Sequence, residues 1–182
     1  MRKLVFTLFA VLTTLASPAV AQTLKIGAPQ PMTGPDAPFG DKFKKAYGMA
    51  VEEINAAGGI NGKKIEVVIE DHMAKNALAA TVAEKLITQE KVLILTGGRA
   101  SGQAMEIASV AQRLKTPYLV DHPSADMITT KGFEWVFRNN PTGSIYPAAF
   151  NAFITEFPNA MPKSAAVVYD NTSSARPSVP RP

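Results

Sequence analysis

Residues 65–95, IEVVIEDHMAKNALAATVAEKLITQEKVLIL, decide the fold class. Ile65-Glu66-Val67-Val68-Ile69 is rich in β-branched side chains, which pack well on a pleated surface, so it predicts a strand. Leu78, Val82 and Leu86, with Ala79 and Ala83 beside them, recur at the three- and four-residue spacing of a helix. Val92-Leu93-Ile94-Leu95 is a continuous apolar run, the pattern of a strand covered on both faces. Strand, helix and strand in so short a stretch point to a parallel sheet wrapped by helices.

The alternation extends both ways. Upstream, Leu24-Lys25-Ile26-Gly27-Ala28 is a short strand that ends in a loop carrying Pro29, Pro31, Gly34, Pro35 and Pro38. From Gly40 the period changes, and Phe43, Ala46, Tyr47, Ala50, Val51 and Ile54 trace an amphipathic helix. Gly58-Gly59 stops it, because glycine takes a left-handed backbone without steric cost. Downstream, Ala104, Ile107, Ala108, Ala111 and Leu114 mark a third helix, followed by the strand Tyr118-Leu119-Val120. Trp135-Val136-Phe137 predicts a short strand, residues 145–157 a helix and residues 165–169 a last strand. The fold class is α/β, a doubly wound parallel sheet.

The chain has 182 residues, 46% of them hydrophobic and 19% charged, with no cysteine. That composition is globular and excludes a collagen, a coiled coil or a wholly disordered chain. Without cysteine there is no disulfide framework, thiolate metal site or thiol nucleophile. Arg2 and Lys3, the apolar run over residues 4–16, and Ala19-Val20-Ala21 form a secretory signal peptide with cleavage expected before Gln22. The run is shorter than the roughly 20 residues a membrane-spanning helix needs, so no membrane anchor is expected. Arg2 and Lys3 carry two of the four net positive charges. The remainder is too small to imply a nucleic-acid partner or a basic membrane-binding face.

Three stretches carry a resemblance. They are residues 27–35 (GAPQPMTGP) with Phe39-Gly40, residues 55–63 (NAAGGINGK), and residues 97–117, which run from Gly97-Gly98 through Ser101 and Ala108 to Pro117. In this order, after a signal peptide, the chain resembles the type I periplasmic solute-binding proteins, in particular the branched-chain amino-acid receptors of ABC transporters. The resemblance implies a two-lobed clamp in the periplasm that delivers a small amino-acid-like ligand to a membrane permease. It implies no cofactor, metal or catalytic residue, and so no enzyme. It also implies an organisation: signal peptide at 1–21, incomplete lobe one at 22–140, the start of lobe two at 141–173, and an aberrant tail at 174–182. A full-length receptor of this kind is about twice as long, so the chain reads as an amino-terminal fragment. Ser174 and Ala175 stand where the resemblance places an aromatic-glycine pair. With one choice of codons, residues 174–182 are compatible with a one-base shift of reading frame in a helix-compatible sequence.

Ligands of doubly wound sheets sit beyond the carboxyl ends of the strands. The turn over residues 95–103, LTGGRASGQ, lies at such an end and opens the third helix, whose unpaired amides favour an anion. By position, the Ser101 hydroxyl and Gly102 amide resemble the family's contacts to the ligand carboxylate; helix capping is the alternative for Ser101. Ser124 resembles a second hydroxyl contact, with the Pro123 carbonyl an acceptor for the ligand amine. Its alternative is to cap a short helix over residues 125–130. Phe39 resembles the aromatic that closes over the ligand, with lobe-one core as the alternative. Arg99 is expected in solvent, or else paired with a second acid group on the ligand. The resemblance places the carboxylate that pairs with the ligand ammonium in lobe two, beyond the chain's end, so half a site and weak binding are expected.

Two other classes fit parts of the sequence. A sensory ligand-binding domain reuses this fold. A metal-dependent hydrolase is suggested by His72 and His122, each of which follows an aspartate at a predicted strand end. In the order 2-1-3-4-5 those strands lie three spacings apart, about 14 Å, too far for shared metal ligation at about 2 Å. Both histidines are therefore expected to be solvated loop residues. No Gly-x-Ser-x-Gly elbow or His-Glu-x-x-His helix occurs.

Overall fold

The computed structural model describes residues 23–156 and 164. The expected signal peptide, the strand expected at 165–169 and the expected tail lie outside the described residues. The elements alternate as β1 (Leu24–Gln30), α1 (Ala37–Ala56), β2 (Ile65–Asp71), α2 (Asn76–Thr88), β3 (Ile94–Thr96), α3 (Ser101–Arg113), β4 (Tyr118–Val120), α4 (Met127–Thr130), β5 (Val136–Arg138) and α5 (Ile145–Thr155). The strands form one parallel sheet in the order β2-β1-β3-β4-β5. The step from β1 to β2 runs one way across the sheet and the later steps run the other way. Right-handed crossovers then put α1 on one face and α2 with α3 on the opposite face.

The core lies on the α2–α3 side. Ala79, Ala83 and Leu86 of α2, Leu95 of β3, Ala104, Ile107 and Ala108 of α3, and Tyr118 of β4 are all fully buried. Small residues on the helices let them sit close to the sheet, and Gly27 does the same from β1. A Cβ added at Gly27 would stand 2.8 Å from Leu95 Cδ2. Truncating Leu86 to alanine in so closed a layer costs roughly 2–5 kcal/mol.

Several boundaries differ from the sequence reading. Helix α1 begins at Ala37, ahead of Gly40, because Pro38 fits a first helical turn, where its missing N–H costs nothing. Its inward stripe is Phe43, Tyr47, Val51 and Ile54, each half-buried, while Ala46 and Ala50 are exposed. Strand β3 starts at Ile94, and Leu93 is 58% exposed despite the apolar run around it. The sheet is therefore not covered on both faces at its amino-terminal edge.

The strand order reverses between β1 and β3. At that point the connections leaving the two strands diverge to opposite faces and leave a crevice at their carboxyl ends. Three loops meet there, after β1, β3 and β4.

Candidate functional site

The turn from β3 into α3 is built around Gly97 and Gly98, with φ of +103° and +80°. The Gly97 carbonyl accepts a 2.7 Å bond from the buried Tyr118 hydroxyl, and the Gly98 amide donates to the Pro29 carbonyl at 3.0 Å. A Cβ at Gly98 would meet Ile107 Cδ1 at 2.9 Å and the Tyr118 hydroxyl at 3.1 Å. Only glycine fits this turn, both by backbone conformation and by space. The first turn of α3 is then braced from the side. Gln103, 2% exposed, accepts from the Ala100 amide at 2.9 Å and donates to the Ala74 carbonyl at 3.0 Å.

Ser101 is the first residue of α3 and is 1% exposed. Its Oγ accepts a 3.2 Å bond from the Ala125 amide, which ties α3 to the loop after β4. The helix-cap position is held by Ala100, so Ser101 does not cap. A ligand oxygen reaching the Ser101 hydroxyl would share it with the Ala125 amide. Gly102 is half-buried beside Asn76, and a Cβ there would stand 2.6 Å from Asn76 Nδ2. Its amide belongs to the first helical turn, where no intrahelical acceptor exists.

Phe39 lies in the first turn of α1, half-buried, under the Arg99 guanidinium at 4.0 Å from the ring centroid. Arg99 is thus not simply solvated: the ring face attracts its charge, and its Nε is buried without a partner among the described residues. Phe39 and the β3–α3 turn therefore meet at the crevice. Gly40 makes that approach possible, since a Cβ there would sit 2.3 Å from the Pro31 carbonyl.

The loop after β4 is held by Arg138 at the end of β5, a residue the sequence reading passed over. Its Nη1 donates to the Pro123 carbonyl and its Nη2 to the Ala125 carbonyl at 2.8 Å. The Asn140 amide adds a 3.1 Å bond to the same Pro123 oxygen. Both lone pairs of that oxygen are in use, so a ligand amine would have to displace one donor. Ser124 is half-buried. It does not cap α4, which starts at Met127 after Asp126.

A second polar group underlies the crevice, and no local pattern announced it. The Tyr47 hydroxyl of α1 donates to Asp121 Oδ2 at 2.9 Å and accepts from Gln30 Nε2 at 2.9 Å. Thr96 Oγ1 also lies 3.1 Å from Asp121 Oδ2. Burial, then the Asp121 charge and its hydrogen bond, push the Tyr47 phenol well above its ordinary range, so it stays a donor. These residues come from the ends of β1, β3 and β4 and from α1.

The loops after β1 and β2 are joined by Asp71. Its carboxylate accepts from the amides of Met32 at 2.9 Å and Met73 at 2.7 Å, and from the Thr33 amide and hydroxyl. Desolvation pulls its acidity one way, but these bonds together outweigh it and hold the carboxyl below its usual range. His72 corrects the expectation of a solvated loop histidine. It is fully buried, with neither ring nitrogen hydrogen-bonded among the described residues. Burial disfavours the charged ring and lowers its pKa. His122 is exposed and meets the Phe43 ring edge-on at 5.7 Å. Among the described residues no group of three or more His, Cys, Asp or Glu side chains is placed to hold a metal ion, and no helix is long and apolar enough to cross a membrane.

The sheet thus reverses between β1 and β3, and a glycine turn opens α3 beside Phe39. A family profile described as periplasmic binding protein matches residues 23–181. The chain belongs to the periplasmic binding protein family. Among curated proteins it is similar to a Leu/Ile/Val-binding protein homolog 7 of Brucella abortus, 40% identical over 126 residues. That alignment covers 69% of this chain and 31% of the relative, so the chain spans about a third of the relative's length. Among solved structures it is similar to the branched-chain amino acid transporter substrate binding protein LivJ of Streptococcus pneumoniae, in complex with isoleucine. The TM-score is 0.64 at 36% identity, covering 68% of this chain and 35% of that one. It is also similar to an ABC-transporter solute binding protein of Rhodopseudomonas palustris in complex with 3,4-dihydroxybenzoic acid. There the TM-score is 0.61 at 28% identity, covering 67% and 33%. By their names all three are binding proteins, two of them of transporters.

Proposed function

We propose that residues 22–140 act as lobe one of the extracytoplasmic solute-binding component of an ABC transporter, which hands a small amino-acid-like ligand to a membrane permease. Residues 141–173 begin the second lobe. In support, α5 has no buried residue, and its Phe150 and Phe153 are 62% and 60% exposed. The ligand's carboxylate docks at the start of α3, where the Gly102 amide and the positive end of the helix dipole favour an anion. Ser124 contributes a hydroxyl from the neighbouring loop, Phe39 walls the crevice, and Ser101 holds the two loops together and shares its hydroxyl with the carboxylate. Pro123 offers its carbonyl to the ligand amine only by exchanging a donor from Arg138 or Asn140.

The observation that carries this reading is the meeting of the β3–α3 glycine turn and Phe39 at the sheet's reversal. Signal-peptide export to the periplasm fits the same role. Titration calorimetry with a panel of L-amino acids tests it, and binding of aliphatic members even at millimolar affinity is the expected result. Because a similar structure holds a dihydroxybenzoate, aromatic acids belong in the panel as a second reading. Both ligand types present a carboxylate to the same helix start. If no carboxylate-bearing ligand binds at any attainable concentration, the reading fails.

A further inference from the structure

We infer that Arg99, laid over Phe39 in the β3–α3 turn, receives a second carboxylate on the ligand, so that the site takes acidic amino acids in preference to their uncharged isosteres. The inference rests on the solute-binding reading and deepens it, because it names the chemistry of the ligand's far end.

Arg99 sits between two fixed points of backbone. The Gly98 amide before it donates to the Pro29 carbonyl at 3.0 Å, and the Ala100 amide after it donates to Gln103 Oε1 at 2.9 Å. From there the side chain crosses to α1, where its guanidinium carbon stands 4.0 Å from the Phe39 ring centroid. Phe39 is itself set by the first turn of α1, with its amide donating to the Asp36 carbonyl at 2.9 Å. A guanidinium stacked in this way is ordered before any ligand arrives, which lowers the entropy lost on binding.

Its charge is unmatched. The ion pairs among the described residues are Lys25–Glu90, Lys85–Glu70 and Arg113–Glu84, and none involves Arg99. No nitrogen of Arg99 donates a hydrogen bond to a described residue, yet only Nε is both buried and unpartnered, so the two terminal nitrogens reach solvent. A second cation stands at the same ring: the exposed Lys42 places Nζ 5.5 Å from the Phe39 centroid and is also outside those ion pairs. The ring face attracts both charges but offers no acceptor to their N–H groups. The rim of the crevice around Phe39 therefore carries an excess of positive charge, beside a helix start that also favours an anion.

The chemistry that answers this is specific. A guanidinium is all donors, in a planar fork that matches the two oxygens of a carboxylate, and its open terminal nitrogens allow that end-on approach. A carboxamide of the same shape offers one acceptor oxygen, no charge and donors of its own, and an ammonium is repelled. Gly102, three positions further on, opens the helix where the first carboxylate docks. An aliphatic ligand uses that position alone. A ligand with an acid at each end uses both, with Phe39 between α1 and the turn as the apolar wall beside its chain.

The test uses the whole chain, wild type and Arg99→Gln, in calorimetry at one fixed low salt with two isosteric pairs: L-glutamate against L-glutamine, and L-aspartate against L-asparagine. A thermal melt first confirms that the variant folds. In at least one pair wild type should bind the acid about tenfold tighter than the amide. In R99Q that preference should vanish while binding of the amide is unchanged. Equal binding of acid and amide in both pairs, or a preference that survives in R99Q, overturns the inference and leaves the solute-binding reading intact. So does a variant that weakens acid and amide alike, since Arg99 then only holds Phe39 in place. If none of the four compounds and no other amino acid binds, the solute-binding reading is the one that fails. The inference is then decided by following the Arg99 Nε–H resonance of the wild-type chain during titration with glutarate and with glutaramide. A saturable shift with glutarate alone supports it, and no shift, or the same shift with both, overturns it. Should R99Q fail to fold, the same resonance decides it.

Discussion

Replacing Tyr118 with phenylalanine isolates one atom on which the β3–α3 turn depends. The ring is fully buried in the core and its hydroxyl donates to the Gly97 carbonyl at 2.7 Å, with Gly97 also buried. Phenylalanine keeps the packing and removes only the donor. The cost is therefore that of a buried carbonyl left without its partner, about 2 kcal/mol within a usual range of 1–3. For a chain of this size that lowers the melting temperature by about 4–8 °C. Urea unfolding followed by circular dichroism gives the free energy directly, with the denaturant slope expected unchanged. Because the lost bond holds the Gly97-Gly98 turn, amide exchange should also quicken at Gly98 and at the start of α3, ahead of the rest of the core. A loss below about 0.5 kcal/mol, the range of a neutral surface change, would refute the claim that this hydroxyl holds the turn.

Two further outcomes follow from the loops beside it. His72 is buried in its neutral form, and its folded-state pKa lies below the ordinary 6.5, so the unfolded chain takes up a proton first. Stability is then complete above about pH 6.5 and falls as the pH drops below it, until the folded ring's own lower value is reached. A urea-midpoint series in wild type and His72→Phe should show that slope only in wild type, and identical slopes would contradict it. Asp71→Asn removes the charged acceptor shared by Met32, Thr33 and Met73. Hydrogen exchange at those amides should accelerate together, while unchanged rates would show that the loop after β1 is held by something else.

The succession of strands and helices and the tight turn after β3 were legible in the sequence because each rests on local pattern. Residues 65–95 change period twice, and Gly97-Gly98 marks a tight turn at a strand end. What was not legible depends on partners far along the chain. Tyr47 reads as one more residue of the amphipathic stripe on α1, yet its hydroxyl meets Asp121, 74 positions away. Arg138 looks like an ordinary charge after a short strand, and only the β4–β5 register brings it under the Pro123 and Ala125 carbonyls. His72 was misjudged because a histidine after an aspartate at a strand end resembles a loop residue. It is nonetheless fully buried, with its amide donating to the Gln30 carbonyl at the end of β1. Ser101 was correctly placed at the opening of α3, but its bond to the Ala125 amide depends on the neighbouring loop and could not be read from residues 95–103.

An amide chemical-shift map of the chain titrated with L-leucine tests the location of the ligand site most directly. The account predicts that the largest shifts fall at Gly102 and Ser124, with Phe39 moving beside them, at the carboxyl ends of β1, β3 and β4. Shifts confined to the opposite edge of the sheet, around Lys25, Lys63 and Lys91, would contradict it.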